Sequence, residues 1–328
     1  MNLNLLKKRL IDKFPYLNKW LSFNYGFQPE ELKDTDYVLG ASPLFKKVLQ
    51  PDMDWTPYLP TGERQSGRNI ETFSCVSQSF LNVLETLFKR KYNIDINFSD
   101  RFLAKVSGTT QNGNLQSRVA DAARKVGLVL ENDYTADIDE VGWSEYYKPL
   151  TSDLFLKART FLEEWEIGYE AIPPTLLAMR EGLKYSPLWA AGYAWAFSNG
   201  SYYSAGSPNH AFMPFNMNPI VVNRLIFDSY DPFTKKLASD YQLYYPKILT
   251  LNRKGEQYNI GEIINLIKAG FKYIMRTGVG GHGEIYELSN TGLKYISAQD
   301  WNNINVQLSS DKKILKGVNE EYFASLII

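Results

Sequence analysis

The apolar pattern changes its period partway along this chain, and that change restricts the fold more than any single residue does. Up to about residue 183 the apolar positions recur at helical spacing. Val76, Phe80, Val83, Leu84, Leu87 and Phe88 form a stripe over 75–92 wide enough for a buried helix. Leu115, Val119, Ala122, Ala123 and Val126 form another over 115–126, with Gly127 as a natural stop. Two further helices are predicted at 152–166 and, after Pro173 and Pro174, at 174–183. Beyond them, 188–197, 210–217, 221–228 and 238–251 are aromatic and β-branched runs divided by Ser-Asn-Gly, Ser-Pro-Asn and Asp-Pro turns, the pattern of an antiparallel sheet. Helices first and strands afterwards predict an α+β fold with a helical lobe and an antiparallel β lobe.

The flanks read differently. Leu3, Leu6, Leu10, Phe14, Leu17 and Leu21 keep helical spacing around Pro15, so 1–35 is predicted as an N-terminal helical extension. Such a helix is expected to dock on the core, or to meet a protein partner, rather than to occlude a cleft. Residues 34–72, rich in proline, glycine and aromatics, read as an extended leader into a main domain spanning 36–251. From 252 to 328 a small α+β module is predicted, with a helix at 260–269 and strands at 271–277, 284–289 and 293–298; it too could bind a partner.

Charge and cysteine content narrow the function classes. Lysine plus arginine balance aspartate plus glutamate at 36 each, which gives no bulk attraction to nucleic acid or anionic membrane. No run approaches the ~18–20 apolar residues of a membrane span, and the charged N-terminal segment does not read as a signal peptide. One cysteine excludes an intrachain disulfide and fits a reducing, cytoplasmic setting or association with a particle. One cysteine and two scattered histidines make no metal site of usual spacing, and no cofactor is predicted. The 22 tyrosines are most simply amphipathic packing at the edge of the core.

That cysteine, Cys75, stands where a polar loop enters the first strong helical stripe, between Ser74 and Val76. A lone cysteine is ordinarily a small buried hydrophobe. At a helix start, however, the dipole favours the thiolate and would lower its pKa. His210 follows 135 residues later in Pro208-Asn209-His210-Ala211, and Asp228 another 18 residues on. The ordinary fate of a strand histidine is a hydrogen-bonded edge position, but His282, in a glycine turn, is the only other histidine. Cysteine, then histidine, then a carboxylate is the order of a thiol hydrolase triad. Cys75 would attack a carbonyl, His210 would carry the proton to the leaving amine, and Asp228 would orient the imidazole. The oxyanion needs donors, here the Cys75 N–H and a side-chain amide shortly upstream, either Gln65 or Asn69.

With these residues, 36–251 resembles the papain-like cysteine peptidases. Asp54-Trp55-Thr56-Pro57 looks like the start of that family's mature domain, Gly62-Glu63-Arg64-Gln65 like the lead-in to its oxyanion glutamine, and Ser74-Cys75-Val76-Ser77 like its nucleophile. Asn112-Gly113-Asn114 is similar to the turn that pairs with substrate backbone, and Pro208-Asn209-His210-Ala211 to the histidine strand. Asp228-Ser229-Tyr230-Asp231 is similar to Asn-Ser-Trp-Gly, with Tyr230 in the place of the shielding tryptophan. Gln65 matches the oxyanion residue by identity and Asn69 by its spacing of six from Cys75. The resemblance implies a two-lobed papain-like fold and hydrolysis of peptide bonds in a peptide or protein substrate through an acyl-enzyme. Two other readings accompany it. One is a catalytically inactive papain-fold component of a larger assembly such as a virion. The other is a peptidoglycan amidase or endopeptidase, in which the cysteine and histidine normally fall closer in sequence.

Overall fold

The computed structural model describes residue 13, residues 24–31, 38–39, 48–218 and 224–254, and the strands at 271–276, 284–289, 292–296 and 313–318. Contacts divide the chain into two units, Met1–Leu39 with Leu49–Leu251, and Gly40–Val48 with Asn252–Ile328.

The first unit is built around the helix α1, Cys75–Tyr92, whose residues are buried without a break from Cys75 through Leu81 and again from Val83 through Phe88. A helix covered on all sides must satisfy its polar side chains internally. Ser79 Oγ donates to the Cys75 carbonyl at 2.6 Å and accepts from the Trp189 indole at 3.0 Å, and the Glu85 carboxyl accepts the Phe98 N–H at 2.8 Å. The helix ends on Asn93 in the left-handed conformation, with three basic residues in its last turn, which suits the negative end of the dipole. Phe88, Tyr92, Phe98, Phe161 and Trp165 pack edge to face or tilted around its C-terminal half, the Phe88 and Trp165 rings 4.6 Å apart.

Around α1 lie α2 (Asp100–Val106), α3 (Gln116–Lys125), the single turn α4 (Trp143–Tyr146), α5 (Ser152–Glu164) and α6 (Leu176–Leu183). Ser99 caps α2 by accepting the Phe102 N–H at 3.1 Å. The predicted helix at 152–166 stops at Glu164 because Trp165 opens strand β1 (Trp165–Ala171), where Trp165 and Ile167 point inward and Glu166 outward. The predicted helix at 174–183 begins two residues late, since Thr175 and not Pro174 prepares it, as N-cap to the Ala178 N–H.

The other strands are β2 (Leu188–Gly192), β3 (Ala196–Ser198), β4 (Ser201–Tyr203), β5 (His210–Asn216), β6 (Leu225–Phe227), β7 (Thr234–Lys236) and β8 (Tyr244–Arg253). Six of them form one sheet in the order β1-β8-β2-β5-β6-β7, and β3 and β4 form a separate hairpin. The pairs β2–β5, β2–β8, β5–β6 and β6–β7 are antiparallel. Three predicted strands are shortened, and of the run 221–228 only Leu225–Phe227 is strand among the described residues. The run 188–197 breaks at Gly192, and within 238–251 no strand begins before Tyr244. The face of β5 lies against α1, so the helix carrying Cys75 and the strand carrying His210 share one core.

Residues 24–31, inside the span predicted to be a helical extension, run extended; the helix expected over 3–21 lies outside the described residues, Lys13 excepted. In the second unit, β9 (Phe271–Arg276), β10 (Glu284–Ser289), β11 (Gly292–Ile296) and β12 (Lys313–Val318) form a four-stranded sheet ordered β11-β10-β9-β12. Ser289 pairs with Gly292 across a two-residue connection, and β12 runs parallel to β9. The predicted helix at 260–269 and His282 lie outside the described residues. Among the described residues no helix is long and apolar enough to cross a membrane.

Candidate active site

Cys75 is the first residue of α1, with Ser74 before it as N-cap. Ser74 makes no capping bond; its hydroxyl instead contacts Thr72 Oγ1 at 2.7 Å and accepts from Gln78 Nε2 at 3.1 Å, which leaves the first N–H groups of the helix turned toward the thiol end. His210 opens β5 and Asp228 follows β6. The imidazole Nε2 lies 2.5 Å from Asp228 Oδ1, while Nδ1 has no hydrogen-bond partner among the described residues. The Cys75 thiol is within reach of the backbone of Ala211, the next residue after His210. His210 and Asp228 are thus paired directly, and Cys75 is buried against the backbone next to His210.

Their electrostatics differ from the sequence reading in one respect. Burial pushes the Cys75 thiol well above its usual value, and Glu71 and Asp228 push it the same way, against the lowering effect of the Ala211 and Val76 backbone. A helix start favours the thiolate only while water or a cation shares the work. Cys75 is 0% exposed, and desolvation wins. For Asp228, burial acts upward, but the Lys235 ammonium and His210 outweigh it and hold the carboxyl below its ordinary value.

The chain's own segment 24–31 lies against the site. The Tyr25 N–H donates to the Asn209 carbonyl at 3.0 Å, and the Tyr25 carbonyl accepts from Gln65 Nε2 at 2.9 Å. The Tyr25 ring stands edge-on to His210, centroids 5.8 Å apart. Further along the segment, the Asn114 N–H donates to the Gly26 carbonyl and the Gln28 N–H to the Asn114 carbonyl, both at 2.9 Å. Gln28 Nε2 adds a bond to the Asn112 carbonyl, and Glu30 accepts from Ser117 N–H and Oγ. Gly26 adopts φ +115°, and a Cβ there would overlap the Phe73 carbonyl; one on Gly113, at φ +83°, would overlap the Gly26 carbonyl. Glycine is required at both because two backbones meet without room for a side chain. Among the predicted substrate-turn residues, Asn112 and Gly113 therefore present backbone to this strap. The Asn114 side chain is turned inward onto Ser107 and Thr109.

The two oxyanion candidates separate clearly. Gln65 is fully buried beside the triad; its amide nitrogen contacts the Tyr25 carbonyl, Glu71 and the Tyr230 hydroxyl, and its oxygen accepts from Ser229 Oγ. Asn69 is exposed and donates to the Asp139 and Glu140 carbonyls, away from Cys75. Tyr230 packs on the imidazole at 5.3 Å while its hydroxyl donates to Glu71 at 2.9 Å. Two neighbours escaped the sequence reading. Trp195 stands edge-on to His210 at 5.3 Å, and Lys235 lies 2.7 Å from Asp228 Oδ2. The signal for Lys235 is the alternation of β7, in which a lysine takes the one inward position.

One turn along α1 from Cys75, Gln78 also lines a pocket of about 240 Å³ with Glu63, Asp100, Arg101, Glu131 and Tyr146. Burial raises Asp100 and the nearby Glu85 well above the carboxylate range and Glu131 to about 7. Among the described residues no group of three or more His, Cys, Asp or Glu is arranged to hold a metal ion.

Compared with known proteins, the sequence matches no protein-family model. It has no significant match to a curated protein. Solved structures resemble it in fold. Xylellain, a cysteine protease from Xylella fastidiosa, superposes with a TM-score of 0.53 at 12% identity, over 69% of this chain and 96% of that one. Digestive procathepsin L 3 of Tenebrio molitor gives 0.49 at 12% identity, over 76% and 90%. The ragweed pollen cysteine protease Amb a 11 in its proform gives 0.45 at 15%, over 61% and 64%. The likeness to xylellain shows a papain-like α+β fold.

Proposed function

We propose that this chain is a cysteine peptidase, latent in the state described, in which Cys75, His210 and Asp228 act on a peptide bond once residues 24–31 leave the cleft. The observation that carries this reading is the division of labour on the imidazole. Nε2 is engaged by Asp228 at 2.5 Å and Nδ1 is left without a hydrogen-bond partner, while the Cys75 thiol reaches the backbone of Ala211, the residue next to His210. A structural histidine would have both nitrogens satisfied at 0% exposure. With the strap gone, water reaches the thiol and the desolvation that keeps it neutral is relieved. Cys75 Sγ then passes its proton to His210 Nδ1 and bonds to the carbonyl carbon. The imidazolium gives that proton to the leaving amine as the C–N bond breaks, and water, deprotonated by the same imidazole, hydrolyses the thioester. Gln65 Nε2, which contacts the Tyr25 carbonyl, is the side-chain donor suited to the oxyanion, with the Cys75 N–H as its partner.

The test is labelling with an epoxide thiol inhibitor and hydrolysis of an unstructured peptide, in a Gly26→Ala background that dislodges the strap. The expected outcome is stoichiometric modification of Cys75 and turnover, both lost in Gly26→Ala/His210→Ala. A second reading, a papain-fold binding component without activity, draws on the complete burial of the thiol and its raised pKa. It is supported if the uncovered cysteine labels at the rate of an ordinary thiol and His210→Ala makes no difference.

A further inference from the structure

Strand register brings a cation into this site. In the β6–β7 pair Ile226 faces Lys235, and in the β5–β6 pair Pro214 faces Ile226. Alternation along each strand then places His210, Phe212 and Pro214 on one face with Ile226, Asp228 and Lys235. Lys235 Nζ is 2.7 Å from Asp228 Oδ2, and the other carboxylate oxygen is 2.5 Å from His210 Nε2. The ammonium also donates to the carbonyls of Tyr230 at 2.5 Å and Pro232 at 2.6 Å, while its contact with Asp228 Oδ2 is an ion pair without hydrogen-bond alignment. It lies 5.3 Å from the Trp195 ring centroid and 5.7 Å from that of Tyr202. A lysine with its side chain 1% exposed is rare unless paired, and this one is committed on every side.

We propose that Lys235 is a positioning residue: its ammonium compensates the Asp228 carboxylate, so that His210 is oriented by a neutral ion pair rather than by a bare buried charge. The consequence for catalysis rests on the peptidase reading; the geometry does not. The ion pair at Oδ2 opposes rotation of the carboxylate and favours Oδ1 aimed at Nε2, which leaves Nδ1 as the nitrogen available to the thiol. A bare carboxylate would hold a proton on the imidazole, whereas the compensated pair releases it more readily to a leaving group. The other titratable groups facing His210 and Asp228 are Cys75 and Glu71 on the helix side and the phenols of Tyr25, Tyr202, Tyr230 and Tyr241. The positive charge in this set is supplied by Lys235.

Because the chain has two histidines, the full-length protein labelled with ¹⁵N-histidine resolves His210 by NMR. Its titration midpoint and the unfolding temperature are to be compared in wild type, Lys235→Met, Asp228→Asn and the double variant. Lys235→Met should raise the midpoint and Asp228→Asn should lower it. The double variant should return it toward wild type and recover stability that either single change loses. An unmoved midpoint in Lys235→Met, or a double variant no closer to wild type than the singles, overturns the proposal. If Lys235→Met does not fold, the comparison of Asp228→Asn with the double variant decides it, and a double variant less stable than Asp228→Asn overturns it. Epoxide labelling in the Gly26→Ala background separates this from the peptidase reading. A coupled cycle without His210-dependent labelling retains Lys235 as the residue orienting His210 and removes the peptidase. His210-dependent labelling with no coupling removes Lys235 alone.

Discussion

Gly26 shows how one residue can decide access to a site. Its φ of +115° and the nearby Phe73 carbonyl leave no room for a Cβ, so Gly26→Ala cannot keep the strap's path. Strain of about 1.4 kcal/mol or more, within the usual cost of such a conformation, should raise epoxide labelling of Cys75 at least about tenfold over wild type. The rate and the site of the adduct are read by mass spectrometry. An unchanged rate would mean that the thiol is covered by something other than residues 24–31. Titration acts at the same scale. Desolvation raises Glu131 to about 7, so this carboxyl is protonated in the fold at pH values where the unfolded chain is ionised. Its contribution to stability is therefore present below its unfolded pKa and is lost as pH rises through 7.

Among the elements, α1 was the most legible, because its stripe is long, apolar and free of glycine and proline, and its bounds agree with the sequence reading at both ends. Within it, Phe88→Ala removes the ring that joins Tyr92, Phe98, Phe161 and Trp165, and should cost about 3–5 kcal/mol in chemical denaturation of the first unit. The strands that bear on His210 and Asp228 were also readable, since His210 opens one aromatic and β-branched run and Asp228 closes another. Other elements were hidden for physical reasons. β1 was absorbed into the helix before it because Phe161 and Trp165 keep helical spacing across the boundary. The strap has no periodicity, and its place is fixed by backbone bonds to Asn114 and Asn209 that no side-chain pattern announces. Lys235 was passed over because a lysine on a three-residue strand is ordinarily solvated, and only the register against Ile226 turns it inward.

For the whole molecule, groups with opposite shifts set the pH profile. Asp228, held down by Lys235, contributes stability above its unfolded pKa and loses it as pH falls through the folded value. Glu131, Glu85 and Asp100 contribute in the other sense, losing stability as pH rises. Unfolding by urea should therefore show greatest stability near about pH 5 and a decline toward pH 7, a decline that Glu131→Gln makes shallower. A curve with its maximum above pH 7 in both proteins would contradict this assignment. The strap has a further consequence at this scale. Because residues 24–31 and the cleft belong to one chain, the segment meets its site at an effective concentration on the order of millimolar, whatever the dilution. A peptide arriving from solution competes with that local excess. Scission after Glu31 would turn the tethered segment into an ordinary dissociable ligand, which dilution can remove.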